Sequence, residues 1–442
     1  MKKKLWKEES IMFFSVVKWF FLATLIGIIV GLSTFVFLKS LNFGISMAKE
    51  IPYSILLLPV AMFLSVFIIK KFAPGAEGHG TEKVIEAVHR NNGKISFAVV
   101  PVKLLTTIIT ISFGGSAGKE GPCAQIGAGL ASTFSDFFRF RDYERKKLVI
   151  CGISAGFASV FGTPVAGALF GIEVLVVGQL MYDVLFPSFI AGITAYQVTH
   201  MLGISYFYKP LHFIPVFSEM FFLQIILSGI FFGLVSFFLI ETMKFFKYGI
   251  SRILLPIYVK AIAAGAIMAL FGFFVTTRPL GLGVDHIEKM ISGSPSAWYD
   301  PVLKTLFTGL TLNAGGSGGV ITPIFFIGST SGNLFGRMMG LDPSTFAAIG
   351  MVALLAGAAN TPIAASVMSI ELFGPEIAPY AAVACVISFL MTGHRSIYPS
   401  QVLGMNKSYS IRSSIGKEIE GAKIIADPEN RTFLRYFQKK KK

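Results

Sequence analysis

The chain has 442 residues, 53% of them apolar and only 14% charged, with a mean hydropathy of +0.68. An ordinary soluble domain carries roughly 25% charged residues, so a soluble protein of this length is excluded, and a hydrophobicity this high excludes a disordered chain. Net charge is +15, but the cations gather at the two ends and in residues 139–147, which hold Arg139, Arg141, Arg145, Lys146 and Lys147. That is the pattern of membrane topology, not of a nucleic-acid surface.

In chain order, Lys2, Lys3, Lys4 and Lys7 precede an uncharged apolar stretch over 19–38, with no small-residue cleavage site between them. Further apolar blocks follow at 51–69, 148–172 and 220–240. A bilayer crossing takes about 20 apolar residues. The expectation is an all-α polytopic membrane protein, multi-pass in the plasma membrane, with both termini cytoplasmic. Residues 1–10 read as an N-terminal tail, 11–402 as the membrane domain and 403–442 as a basic cytoplasmic tail. Cys123, Cys151 and Cys385 are scattered in apolar surroundings and read as buried small hydrophobes. His89, His200, His212, His286 and His394 lie outside any metal-ligand spacing, and no cofactor is expected. Trp6, Trp19 and Trp298 are candidate interfacial anchors. There is no HExxH and no clustered His/Asp/Glu set, so an enzyme is not expected.

Gly and Pro clusters interrupt the apolar stretches at 74–80, 114–122, 162–164, 281–283, 315–323 and 360–362. Lipid-exposed breaks would strand backbone polar groups, so these belong inside protein or along a polar cavity. They also repeat. Gly78-His79-Gly80 precedes Gly281-Leu282-Gly283 by 203 residues, GGSAGKEGP at 114–122 precedes GGSGGVITP at 315–323 by 201, and Thr163-Pro164 precedes Thr361-Pro362 by 198. Glu173 and Glu371 stand at the same spacing after the last pair. The pattern predicts two homologous halves, about 11–200 and 215–402, with the transport site at the paired breaks.

A glycine-rich break followed by a helical run sets a helix N-terminus inside the membrane, where free N–H groups and the positive dipole end favour an anion. Glycines let the backbone close around it. Residues 118–122 and 318–323 therefore read as an anion site at mid-membrane: Gly118 is expected to contact the anion, and Lys119, Gly121, Pro122, Gly318, Gly319, Thr322 and Pro323 shape the breaks. Glu120 is a carboxylate at membrane depth, a functional candidate by default. It carries the substrate's sign and can occupy the anion's place until protonated. A salt bridge to Lys119 is the plainer alternative.

Gly118-Lys119-Glu120-Gly121-Pro122 resembles the GREGP signature of the CLC family of chloride channels and chloride/proton antiporters. The likeness runs from about Gly78 to Gln401 through AQIGAGLAS (124–132), AGFASVFGTPVAGALFGIEVL (155–175), GGVITP (318–323) and SIYPSQ (396–401). It implies two inverted-topology repeats of tilted and broken helices, homodimers with one pore per subunit, and chloride or another small monovalent anion moving with protons. By resemblance Glu120 is the gating glutamate, Tyr398 binds the central anion through its hydroxyl, and the N–H groups of Val320 and Ile321 hold it. His79 replaces the serine that contacts the anion from the cytoplasmic side, with Gly80 beside it as a further anion contact and Gly78 shaping the break. Val174 stands where many exchangers carry an inner glutamate, and Glu173 reads as structural, given its twin Glu371. Thr322, PIFFIG and IELFG look like the fluoride-exporting branch, whereas His79, Gly80 and Pro122 do not. Chloride/proton exchange leads, with a passive chloride channel or fluoride/proton antiport as alternatives. No C-terminal CBS domain is expected.

Overall fold

The structure, a computed structural model, describes residues 2–211 and 218–426, with side chains over 8–211 and 218–425. His212, the Trp6 side chain and the Lys439–Lys442 run lie outside the described residues. Helices dominate. The first half holds α1 (Lys2–Glu50), α2 (Leu58–Phe72), α3 (Thr81–Arg90), α4 (Val99–Ser112), α5 (Glu120–Phe137), α6 (Asp142–Phe161), α7 (Pro164–Glu173) and α8 (Tyr182–Met201). The second holds α9 (Glu219–Arg252), α10 (Ile257–Phe274), α11 (Val284–Ile291), α12 (Asp300–Asn313), α13 (Ile321–Met338), α14 (Pro343–Ala359), α15 (Pro362–Phe373) and α16 (Ala378–Met391).

The packing repeats with the sequence. Helix α5 lies along α6 as α13 lies along α14, and α1 meets α8 as α9 meets α16. Across the junction of the halves α2 meets α10 and α7 meets α15. Among the described residues four helical stretches are long and apolar enough to span a bilayer: Glu8–Glu50, Ser54–Phe72, Glu219–Arg252 and Ile257–Phe274. The apolar block at 148–172 is not one span. Gly162 ends α6 in the left-handed region (φ 75°) and Pro164 starts α7, because proline lacks the N–H that a continuing helix needs. Helices α5, α6, α13 and α14 are buried over most of their length, so the short elements form the protein interior and the long ones face lipid.

The ends of the buried half-helices are satisfied by exchange between the halves. Glu173 closes α7 and accepts from Ile363 N (3.0 Å) and Ala364 N (2.8 Å), the start of α15. Glu371 on α15 accepts from Val165 N (2.9 Å) and Ala166 N (2.8 Å), the start of α7. Each carboxylate thus caps the other half's dipole, which is the structural role expected for the pair.

Beyond α16 the chain returns through strand β2 (Val402–Leu403), paired in parallel with β1 (Val176–Val177). Strands β3 (Ile411–Ser413) and β4 (Ile424–Ala426) form a hairpin. Residues 403–426, the first part of the stretch expected as a basic tail, therefore form an ordered strap against the membrane domain. Arg90, on the last turn of α3, grips it with a two-pronged bond to Glu418 (2.7 and 2.5 Å). The Arg90 guanidinium holds the Glu418 carboxyl below the usual carboxylate range. A depressed carboxylate stabilises above its unfolded pKa, about 4.3, and loses that contribution as pH falls through the folded value. Protease access to 403–426 is therefore expected to rise below about pH 4 in the wild type. In Glu418→Gln it is expected to be pH-independent over that window, as limited proteolysis in detergent will show.

Candidate functional site

The two central breaks meet back to back. Gly118 N donates to Gly319 O at 2.7 Å, and Gly319 N donates to Gly118 O at 2.6 Å. Neighbouring bonds follow the same twofold logic: Ser116 N donates to Thr311 Oγ1 and Ser317 N to Thr110 Oγ1, both at 3.1 Å. Helices α5 and α13 therefore start beside one another, deep inside the protein. The close approach demands glycine. A Cβ on Gly121 would lie 2.2 Å from His79 O, and one on Gly80 (φ 80°) would lie 2.4 Å from Gly121 O. One on Gly118 would meet Glu120 Oε2 at 2.5 Å.

Glu120 is fully buried at the first position of α5. Its carboxylate turns to the opposing helix, accepting from Thr322 N at 3.1 Å and from the Thr322 hydroxyl at 2.5 Å. Among the described residues no ion pair joins it to Lys119, so the plainer alternative does not hold. The carboxylate sits on the N-terminus of α13, where Val320 is the cap and Ile321 the first residue. N–H groups of a helix's first turn have no carbonyl four residues behind them, and these are the groups expected to meet an anion. Gly118, also expected as an anion contact, has its N–H committed to Gly319 O.

On the other side of the break lies the start of α3. His79 and Tyr398 stand with ring centroids 5.8 Å apart. Three buried polar atoms converge here with no hydrogen-bond partner: His79 Nδ1, Thr81 Oγ1 and Tyr398 Oη. Tyr398 is completely enclosed and within electrostatic reach of Glu120. Buried hydroxyls without partners are costly and rare in folded proteins. Grouped at a helix N-terminus, they are what a small acceptor ligand would satisfy.

Two lysines that sequence inspection passed over hold the outlying breaks in shape. Lys103 is fully buried and donates to Ala76 O (3.1 Å) and Gly78 O (2.5 Å). Lys304, equally buried, donates to Pro279 O (3.1 Å), Gly281 O (2.8 Å) and Leu282 O (3.4 Å). The signal was available: 201 residues separate them, the offset of the paired GGS motifs. Thr81 and Glu82 were missed as well, Glu82 because it serves the fold, accepting from Ser400 N (3.0 Å) and Ser400 Oγ (2.5 Å).

Cavities approach the breaks from two faces. One, of 550 Å³, is lined by Gly78, His79, Lys83, Lys247 and Glu420. The other, of 770 Å³, is lined by Lys119, Arg278, Gly281, Gly283 and Lys289. Helix α10 begins at the first, with Ile257 and Lys260, and ends just before Thr277 at the second, so they open on opposite sides of the membrane domain. The buried Cys123, Cys151 and Cys385 are free thiols outside this arrangement, and no metal-holding group of His, Cys, Asp and Glu occurs among the described residues.

Comparison with known proteins agrees with this geometry. The family model described as voltage gated chloride channel matches residues 61–393. A "Chloride/fluoride channel protein" of Pseudomonas syringae pv. tomato is 36% identical, over 89% of this chain and 88% of its own length. The "Voltage-gated ClC-type chloride channel ClcB" of Shigella flexneri is 30% identical over 72% of this chain and 79% of its own. Among solved structures, a CLC-type fluoride/proton antiporter superposes with a TM-score of 0.84 at 28% identity, covering 88% of this chain and 99% of that one. The polytopic all-α fold, its two inverted halves and the facing broken helices, together with these matches, make the chain a member of the CLC family of anion transporters.

Proposed function

We propose that the chain exchanges a small monovalent anion, chloride first, for protons across the plasma membrane, with Glu120 serving as gate and proton carrier. It performs no covalent catalysis, uses no cofactor and engages no nucleic acid; its partners are the ions, the bilayer and a second subunit in a homodimer. The observation that carries the reading is the Glu120 carboxylate seated on the N-terminus of α13. An anion and an ionised carboxylate compete for the same N–H groups, since both are negative and the dipole end accepts one charge at a time. A protonated Glu120 loses its claim and leaves; a halide takes the place. Tyr398, Thr81 and His79 supply donors from the opposite side, and Val320 and Ile321 from the helix.

The His79 cavity faces the cytoplasm in this reading. Arg90 lines it, and two residues on Asn92 donates to Asp142 (3.1 Å) in the basic loop at 139–147; basic loops stay inside, which supports that orientation. Val174 offers no side chain for proton relay, so a proton reaches Glu120 by another route. Without one, the protein is a passive channel.

A second reading, fluoride/proton antiport, is favoured by the three hydroxyls along the path, Thr81, Thr322 and Tyr398, because fluoride is the strongest hydrogen-bond acceptor among halides. The fluoride named for the Pseudomonas relative and for the 28% identical structure points the same way.

Proteoliposomes loaded with chloride or fluoride, with simultaneous proton recording, test all three. Uphill proton movement on a chloride gradient is the expected result; proton-free chloride flux makes the protein a channel, and flux with fluoride alone selects the second reading. Thr322→Val removes a hydroxyl worth about 1.5–3 kcal/mol to the docked carboxylate. It is therefore expected to raise halide flux roughly ten- to a hundredfold, measured as initial efflux rate.

A further inference from the structure

The strap at 403–426 is wired to the anion site, not merely laid over it. Lys407 passes its ammonium under the end of α16, donating to Phe389 O at 2.7 Å and sitting 3.8 Å from the Phe389 ring centroid. It also donates to Asn360 Oδ1 at 2.6 Å. Asn360, in the left-handed region (φ 57°) at the end of α14, passes the connection on: its amide donates to Gln401 Oε1 at 3.0 Å and to Arg395 O at 2.9 Å. Gln401 is wholly buried. Its Oε1 also accepts from Ser396 Oγ at 2.5 Å, and its Nε2 donates to Val174 O (2.7 Å) and Ala359 O (2.8 Å). Ser396 Oγ accepts from Tyr398 N at 2.9 Å. An unbroken run of hydrogen bonds thus joins Lys407 to the backbone of Tyr398.

The strap holds both walls of the same site. On the Tyr398 side Ile419 N donates to Gln401 O (2.9 Å) and Glu420 N to Pro399 O (3.1 Å); on the opposite side Glu418 holds Arg90 at the far end of α3. Helix α3 begins at Thr81, two residues after His79. So one segment fastens both Tyr398 and α3, the two sides that hold the partnerless His79 Nδ1, Thr81 Oγ1 and Tyr398 Oη.

We propose that the strap sets the aperture between Tyr398 and the start of α3, with Lys407 as the positioning residue that fixes where the Tyr398 hydroxyl stands. Hydrogen-bond chains of this kind act as units, because each bond polarises and orients the next. Releasing Lys407 frees Asn360, which frees Gln401 and Ser396, and the tyrosine hydroxyl loses its place. The inference rests on the reading of Tyr398 as an anion contact.

The test uses the full chain in proteoliposomes, with half-saturating chloride concentration and maximal turnover measured separately. Lys407→Met keeps the stem and removes the ammonium. It is expected to raise the half-saturating concentration about tenfold, or about 1.4 kcal/mol, with maximal turnover changed far less. In a Tyr398→Phe background the same substitution is expected to add nothing, since the group it positions is already gone. Arg90→Gln, at an exposed site that leaves the core intact, is expected to raise the concentration in the same direction by a smaller factor, and it decides the matter if Lys407→Met does not elute as folded protein. An unchanged half-saturating concentration in Lys407→Met, or in Arg90→Gln when that variant decides, overturns the proposal. So does an increase that persists undiminished in Tyr398→Phe. If Tyr398→Phe alone leaves the concentration unchanged, the anion-contact reading fails first and the strap's role falls with it, a pattern distinct from failure of the strap alone.

Discussion

Glu120→Gln is expected to abolish proton movement while halide still passes. Glutamine keeps the length and volume of glutamate but has no proton to load or release, and it is never charged. Thr322 N and the Thr322 hydroxyl, which now hold the carboxylate at 3.1 and 2.5 Å, would lose the charge-assisted part of both bonds. Bonds to a charged acceptor contribute about 1.5–3 kcal/mol, against about 1 for neutral pairs. The neutral amide therefore competes poorly with a halide for the start of α13. Proton uptake recorded beside chloride efflux is expected to fall to the level of empty liposomes, with efflux retained or faster. Coupled transport persisting in this variant would show that Glu120 does not carry the proton. Loss of both fluxes from a folded sample would show that the carboxylate is needed to open the path, not only to couple it.

Lys103→Met is expected to cost both stability and transport. Lys103 has no exposure to solvent, and its ammonium holds the Ala76 and Gly78 carbonyls at the turn that presents His79. Each bond from a charged donor contributes about 1.5–3 kcal/mol, and each carbonyl left bare in the interior adds a desolvation penalty. Positive-φ glycines at 78 and 80 give the turn little stiffness of its own. A melting temperature in detergent lower by several degrees is expected, together with a turnover below about a tenth of wild type if the loss at the His79 wall exceeds about 1.4 kcal/mol. Lys304→Met, at the symmetry-related break, should show the same thermal loss. A Lys103→Met protein that melts and transports like wild type would mean that chain connectivity alone holds the turn.

Much of this molecule was legible before any coordinates. The repeated breaks were visible because glycine and proline interrupt a helix whatever surrounds them, and the two halves were visible because the breaks recur at a nearly constant offset. The placement of Glu120 on a helix start followed from the same local rules. What stayed hidden were partners from the other half. Thr322 sits 202 residues from Glu120, and Glu173 and Glu371 cap helices about 190 and 205 residues away. No periodicity within a segment reports a neighbour so distant. The bond that ties the Gly118 N–H to Gly319 was hidden for the same reason, since only the packing reveals it. The order of the strap was hidden too, because its polar sequence says nothing of the partners that Lys407, Glu418 and Glu420 find on the membrane domain.

Composition and pattern by themselves determined the solvent, the secondary structure, the duplication and the sign of the substrate. Those depend on local quantities: apolar run length, helix breaking, and the charge that a helix N-terminus prefers. Tertiary structure alone decided which breaks face one another and which carboxylate answers which helix. It alone showed that His79, Thr81 and Tyr398 leave three polar atoms without partners in one place. The reason is the antiparallel meeting of two halves, which brings residues two hundred positions apart within hydrogen-bond distance and makes a site of groups that neither half contains whole.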